Sequence, residues 1–275
     1  MKKILVLFLA LSVVGGAAFA QSFTVGTELN FMPLTGYDLG EDEYGMPWAS
    51  DDLVTHFRPF FSVSAEDIGG HGIDVSAEVG VNFEFGDNMA TELDFEFDFA
   101  YNLAVSDEGL LTFGLNFNSD HWLSPRVGYT HDLGGMAFFG ELELPINFDT
   151  YDNLGDDIRM NLTAGMTMGM DPGILGFDAT LEMVLQEGGD SPDDTVQWLS
   201  LLPNFTFAAL PLYVEMEVRI PLMEDGMDNS GISLIPEVRY GVTDALEVWL
   251  NMPMHHVTGD PDLTLGLGLG VQFSF

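Results

Sequence analysis

The sequence predicts an all-β chain, a single transmembrane antiparallel β-barrel of about 14 strands, with 12 the next count. Three observations carry this. Apolar and polar residues alternate with a period of two along most of the chain. No apolar stretch beyond residue 20 approaches the roughly 18–20 residues of a membrane-spanning helix. Short and longer connections separate the alternating segments by turns.

Residues 91–106, TELDFEFDFAYNLAVS, show the alternation most plainly. Glu92, Asp94, Glu96 and Asp98 occupy one parity and Leu93, Phe95, Phe97, Phe99 and Tyr101 the other. Successive strand side chains point to opposite faces, so as a strand this segment is acidic on one side and oily on the other. A helix would scatter the acids around its circumference. One such strand fits a soluble sandwich as well as a barrel with lipid outside and water inside.

Read in order, the period of two marks segments near 22–32, 54–65, 72–85, 91–105, 110–118, 122–131, 136–148, 158–170, 174–186, 195–207, 210–222, 231–241, 245–254 and 263–275. Most have the roughly 9–11 residues that cross a bilayer as a tilted strand, or slightly more. The third, IDVSAEVGVNFEFG, puts Ile73, Val75, Val79 and Val81 on one face and Asp74, Glu78, Asn82 and Glu84 on the other. The eighth carries Met160, Leu162, Ala164, Met166, Met168 and Met170 on its apolar face. The last alternates leucines with Gly266, Gly268 and Gly270.

After the even segments come EDIGG, SDEG, DLGG, DPG, ALP and VTDA, all with tight-turn chemistry. After the odd ones the connections are mostly longer and acidic, led by residues 33–53, the candidate constriction or lid; GDNMA and SDH stay short. Sorting by parity fits a barrel with turns on one side of a membrane and loops on the other. An even strand count then leaves both termini on the turn side. Proline recurs near the loop ends, as in LNFMP, LELPI, VRIPL and LNMPM, where a missing donor is best tolerated.

At the N-terminus, Lys2 and Lys3, the apolar run Ile4–Val14 and Ala18-Phe19-Ala20 predict a signal peptide over residues 1–20, leaving a single barrel domain at 21–275. There is no cysteine, which excludes disulfides and thiolate metal sites. Both lysines leave with the leader, so the mature chain has five arginines against 44 acids, a net charge of −39. Nucleic acid is excluded as a partner, because its phosphates require Lys and Arg. At 47% hydrophobic with 22 Phe, the chain is not a disordered acidic tail either.

Tyr101, Tyr129 and Tyr240, with Phe207, are expected to form an aromatic girdle near the turn ends. Trp48, Trp122, Tyr151 and Trp198 cluster toward the loop ends. The C-terminal stretch LGLGVQFSF resembles the last strand of bacterial outer-membrane β-barrels, with Gly270, Phe273 and Phe275 matching their membrane-insertion signal. The resemblance, to porin-like proteins of Gram-negative-type envelopes, implies an integral outer-membrane protein with outer-membrane lipid and the barrel-assembly machinery as partners. It does not identify a solute.

By parity the wet wall collects Glu28, Glu66, Asp74, Glu78, Glu84, Glu92, Asp94, Glu96, Asp98, Glu141, Glu143, Asp178, Glu182, Glu215, Glu217, Glu237 and Glu247. Arg58, Arg126, Arg159, Arg219 and Arg239 share that parity, as they must, since lipid would charge roughly 2–4 kcal/mol for an arginine at midplane. Arg219 and Arg239, on the neighbouring eleventh and twelfth segments beside Glu215, Glu217 and Glu237, either bond those carboxylates or stand as a column facing the acid column of the third and fourth segments; the two can coexist. The wall acids and arginines are the candidate pore lining. The function expected is passive diffusion of small hydrophilic solutes with a preference for cations. The alternatives are a plugged or gated transporter for a specific or hydrophobic ligand, and a surface adhesin. An enzyme is not expected: His255, His256 and Asp260 suggest a site, but adjacent strand residues point opposite ways. No cofactor is expected; Asp149, Asp152, Asp156 and Asp157, or Glu187, Asp190, Asp193 and Asp194, could hold Ca²⁺, but no full EF-hand loop is present.

Overall fold

The computed structural model describes residues 22–35, 54–85, 90–119, 122–147, 158–186, 196–222, 232–255 and 263–275. Fourteen strands run through them: β1 Ser22–Thr35, β2 Val54–Ala65, β3 Ile73–Phe85, β4 Ala90–Ala104, β5 Gly109–Asn118, β6 Trp122–Asp132 and β7 Met136–Glu143, resumed at Ile146–Asn147. Then follow β8 Ile158–Met170, β9 Gly173–Gln186, β10 Val196–Phe207, β11 Leu212–Pro221, β12 Ser233–Thr243, β13 Leu246–Asn251, resumed at Met254–His255, and β14 Thr264–Ser274. A 3₁₀ turn at Ile68–Gly70 is the one helical element among the described residues.

Every strand pairs antiparallel with the next, and β1 pairs with β14 to close the ring. The seam runs from Thr24 opposite Ser274 through Glu28 opposite Gly270 to Phe31 opposite Leu267. At its end Phe23 N donates to Phe275 O at 3.0 Å and Phe275 N to Phe23 O at 2.9 Å. The protein is thus a closed antiparallel 14-stranded β-barrel, an arrangement with no free sheet edge.

The alternation holds register. Val79 faces Phe95 and Glu78 faces Glu96 across β3 and β4, so like parity meets like. A slip of one residue would turn the β4 acids onto the apolar face. On all fourteen strands the outward parity carries no Asp, Glu, Lys or Arg. Its members, among them Leu93, Phe113, Leu115, Leu162 and Leu269, are exposed although large and apolar. A contiguous exposed apolar belt is unfavourable in water and expected against lipid.

The turns after the even strands use the chemistry their residues offer. Asp67 takes a left-handed conformation, and its side chain accepts from Gly72 N at 2.7 Å. Gly134 and Gly135 both have positive φ, which lets β6 fold back onto β7 with Gly134 N donating to Asp132 Oδ1 at 2.7 Å. Thr243 Oγ1 accepts from Leu246 N at 3.0 Å in the turn between β12 and β13. The connections after the odd strands lie outside the described residues.

The predicted segments coincide with the strands to within a few residues, with two physical exceptions. First, β1 runs on to Thr35, with an irregular register against β14 between Phe31 and Thr35, so the first long connection starts at residue 36 rather than 33. Second, β7 and β13 are not continuous over 136–148 and 245–254 but are interrupted beside Pro145 and Pro253. A proline has no N–H to give the ladder. Its carbonyl still accepts: Arg159 N donates to Pro145 O and Gly266 N to Pro253 O, each at 2.8 Å, so the barrel stays sewn across both gaps.

Candidate pore wall

The inward parity curves around a common space. A recess of about 320 Å³ is lined jointly by Glu28 on β1, Phe60 on β2, Glu78 on β3, Glu237 and Arg239 on β12, and Trp249 on β13, on both sides of the seam. This face holds all five arginines of the chain, and each is tied to carboxylates on the wall.

Arg58 is the most heavily braced. Its Nη2 lies 2.5 Å from Glu78 Oε1 and 2.7 Å from Asp94 Oδ2, and its Nη1 lies 3.7 Å from Glu28 Oε2. Arg126 grips Asp98 with two nitrogens, Nη1 to Oδ2 and Nη2 to Oδ1, both at 2.7 Å, while Glu141 Oε2 stands 3.8 Å from its Nε. Such a two-pronged grip fixes the guanidinium plane as well as its position. Arg159 Nη1 donates to Glu182 Oε1 at 3.0 Å, and Arg219 approaches the same carboxylate at 3.8 Å and Glu217 at 3.6 Å. Arg239 bonds Glu237 through Nε and lies 3.9 Å from Glu247.

The β4 acids that look like one column in the sequence have different partners. Asp94 and Asp98 are held by Arg58 and Arg126. Glu96 accepts from Asn116 Nδ2 at 2.6 Å and stays exposed. The β4 backbone at Glu92 pairs with Asn82, and its side chain lies outside the described residues. Elsewhere Glu143 accepts from Asn161 Nδ2 at 3.0 Å, Glu217 from Ser200 Oγ at 2.8 Å, and Glu215 from Tyr213. Glu84 follows on the same face of β3, opposite His56. Arg219 and Arg239, for which the sequence left two arrangements open, do bond carboxylates on their own wall. Glu66 departs from its expected place on the wall, because it sits in the exposed turn after β2.

The aromatic residues divide between the two faces. Tyr101, Tyr129 and Tyr240 do face outward, each three residues before the turn end of its strand. Trp122 and Trp198 stand toward the loop ends, as their grouping expects, and face the inner wall. Arg159 sits over the Trp122 ring at 5.0 Å and Arg219 over Trp198 at 5.2 Å. Arg239 and Trp249 repeat the pairing at 5.9 Å, and Arg58 and Phe60 at 5.5 Å. These distances are within cation–π range. Parity held the signal for this orientation, since Trp122 has the parity of Arg126 and Trp198 that of Ser200. Trp48 and Tyr151 lie outside the described residues.

Toward the turn end the inner face passes to hydroxyls and amides. Ser22 meets Ser64 at 2.6 Å and Thr24 meets Ser274 at 3.0 Å. Thr112 donates to Asn102, which donates to Asp74. Asp74 and Glu247 carry carboxylates to this end as well, while most of the wall's ion pairs lie from the middle of the strands toward the loop end.

Among the described residues no group of three or more His, Asp or Glu is placed to hold a metal ion. The loop acids considered for Ca²⁺ lie outside them, as do His256 and Asp260. His255 Nδ1 is 3.1 Å from Ser233 Oγ, and the two residues are only 7% and 3% exposed, so the hydroxyl offers a substrate no approach. Gly270, Phe273 and Phe275 lie on β14 and just after it; Phe273 packs on Phe275, which stacks on Phe23 across the seam.

No family model matches the chain, and no curated protein matches it in sequence. Its likeness is to solved structures. OmpT, an outer-membrane protein of Vibrio cholerae, solved as a loop-deletion mutant, superposes with a TM-score of 0.54 at 10% identity, over 92% of this chain and 98% of that one. Salmonella typhi OmpF in complex with daunomycin gives a TM-score of 0.52 at 8% identity, over 93% and 97%. At such identities the likeness is one of fold, and it agrees with the closed antiparallel barrel described above.

Proposed function

We propose that this protein is a porin-like channel of the outer membrane, through which small hydrophilic solutes diffuse passively, cations in preference to anions. One observation supports this above the rest: charge is segregated completely by strand parity. The outward parity carries no Asp, Glu, Lys or Arg on any of the fourteen strands, while the inward parity carries the charges and is tied together by ion pairs. A barrel of this strand number is wide enough for inward side chains to leave an aqueous path. The acids of the wall outnumber its arginines, so the field along that path is negative, and carboxylate-lined pores favour cations.

Refolded protein in a planar bilayer should give discrete, ohmic single-channel steps in KCl. A silent membrane containing folded barrels would overturn the channel and favour a plugged transporter or a display scaffold. Topology has its own test. The native chain has no cysteine, so each introduced one is a unique probe. A cysteine within residues 36–53 should react with a membrane-impermeant maleimide on intact cells, whereas one at Asp107 should react only after permeabilisation. The opposite pattern would invert the barrel.

A further inference from the structure

Two arginines reach their aspartates by crossing an entire strand, and each crosses at a glycine. Arg58 on β2 lies over Gly80 on β3 to bond Asp94 on β4. Arg126 on β6 lies over Gly114 on β5 to bond Asp98, also on β4. A Cβ at Gly80 would stand 2.8 Å from Arg58 Nε and 3.1 Å from its Cζ. A Cβ at Gly114 would stand 2.6 Å from Arg126 Cγ, with Nε nearer still. Neither glycine has positive φ, so the backbone does not demand glycine at either place. What demands it is the side chain lying across it, as expected where glycine in a strand marks a close approach.

We propose that Gly80 and Gly114 are seats that set the calibre and charge of the pore, by letting Arg58 and Arg126 lie flat against the wall instead of projecting into the lumen. This inference rests on the channel reading above. A methyl group in a seat collides with a flexible arm rather than with backbone, so the arm moves, and the lumen is the open direction. A displaced guanidinium narrows the path and brings positive charge toward its axis, while its aspartate is left on the wall. Gly128 is the natural control. It is an inner-wall glycine on β6, but a Cβ there would find nothing nearer than Glu141 Oε2 at 3.4 Å, an ordinary contact.

The experiment compares single-channel conductance and KCl reversal potential for wild type, Gly80→Ala, Gly114→Ala and Gly128→Ala, with barrel folding checked by heat-modifiable gel mobility. Gly80→Ala and Gly114→Ala should each lose conductance and shift the reversal potential toward anions, while Gly128→Ala matches wild type. In an Arg58→Ala background, Gly80→Ala should have no further effect, because no arm remains to displace. Should one seat variant fail to fold, the other carries the test. A conducting wild type with both folded seat variants unchanged, or a Gly80→Ala effect that persists without Arg58, would overturn the inference and leave the channel standing. A silent wild type would overturn both.

Discussion

Replacing Glu92 and Glu96 by Gln together with Asp94 and Asp98 by Asn should lower the K⁺ over Cl⁻ preference several-fold in a KCl gradient. Four negative charges leave one strand, and the arrangement around them enlarges the effect. Asp94 and Asp98 are the shortest contacts at the far ends of the Arg58 and Arg126 arms, apart from the Glu78 bond of Arg58. Without them Arg58 keeps Glu28 and Glu78, whereas Arg126 is left with the 3.8 Å approach to Glu141 and the field of Glu143 among the described residues. A weakly paired arginine is then added to a wall that has lost acids. The shift should be larger in dilute salt, where the Debye length grows from about 10 Å at 0.1 M to about 30 Å at 0.01 M. Acidification should act in the same direction by protonating wall carboxylates. An anion-preferring wild type, or a quadruple variant with an unchanged reversal potential, would refute this assignment of selectivity.

Leu115→Arg should destabilise the barrel by about 2–4 kcal/mol, whereas Asn116→Arg, one residue along, should cost far less. Leu115 lies on β5 between Phe99 of β4 and Pro125 of β6, on the exposed apolar face. An arginine there meets hydrocarbon. Asn116 lies opposite Asp98 and Ser124 and donates to Glu96, so an arginine in its place meets water and carboxylates. Denaturant titration of both variants in lipid vesicles decides the matter. Equal losses would mean that the two faces are not lipid and lumen.

The barrel was legible because alternation repeats on every strand and the turns carry Gly, Asp and Pro where reversals occur. Even the end points agree: Val54–Ala65 and Ile158–Met170 match their predicted spans residue for residue. Where continuous strands were expected and breaks were found, proline was the cause, since period two continues through Pro145 and Pro253 although the ladder does not. Of the site, the face was legible and the partners were not. Parity puts Arg58 and Asp94 on one wall, but 36 residues and a whole strand separate them, and only register combined with the missing side chain of Gly80 brings them together. The inward role of the tryptophans escaped because their depth near the strand ends is plainer in the sequence than what they face. Their arginine partners on other strands, which identify them, become visible only once the strands are aligned.

The seam between β1 and β14 makes this chain a ring with a single cut. Phe23 and Phe275 exchange hydrogen bonds although 252 positions separate them along the chain, so closure waits until the last strand has been delivered. Until then two unpaired edges exist, each able to template aggregation, and the loop to be closed is nearly the whole polypeptide. The location of the cut is incidental to the finished object. Splicing the two ends and reopening the ring at a tight turn, such as the one between β8 and β9, would keep every pairing while changing which strand arrives last. Order of assembly and final architecture are therefore separable properties of this sequence.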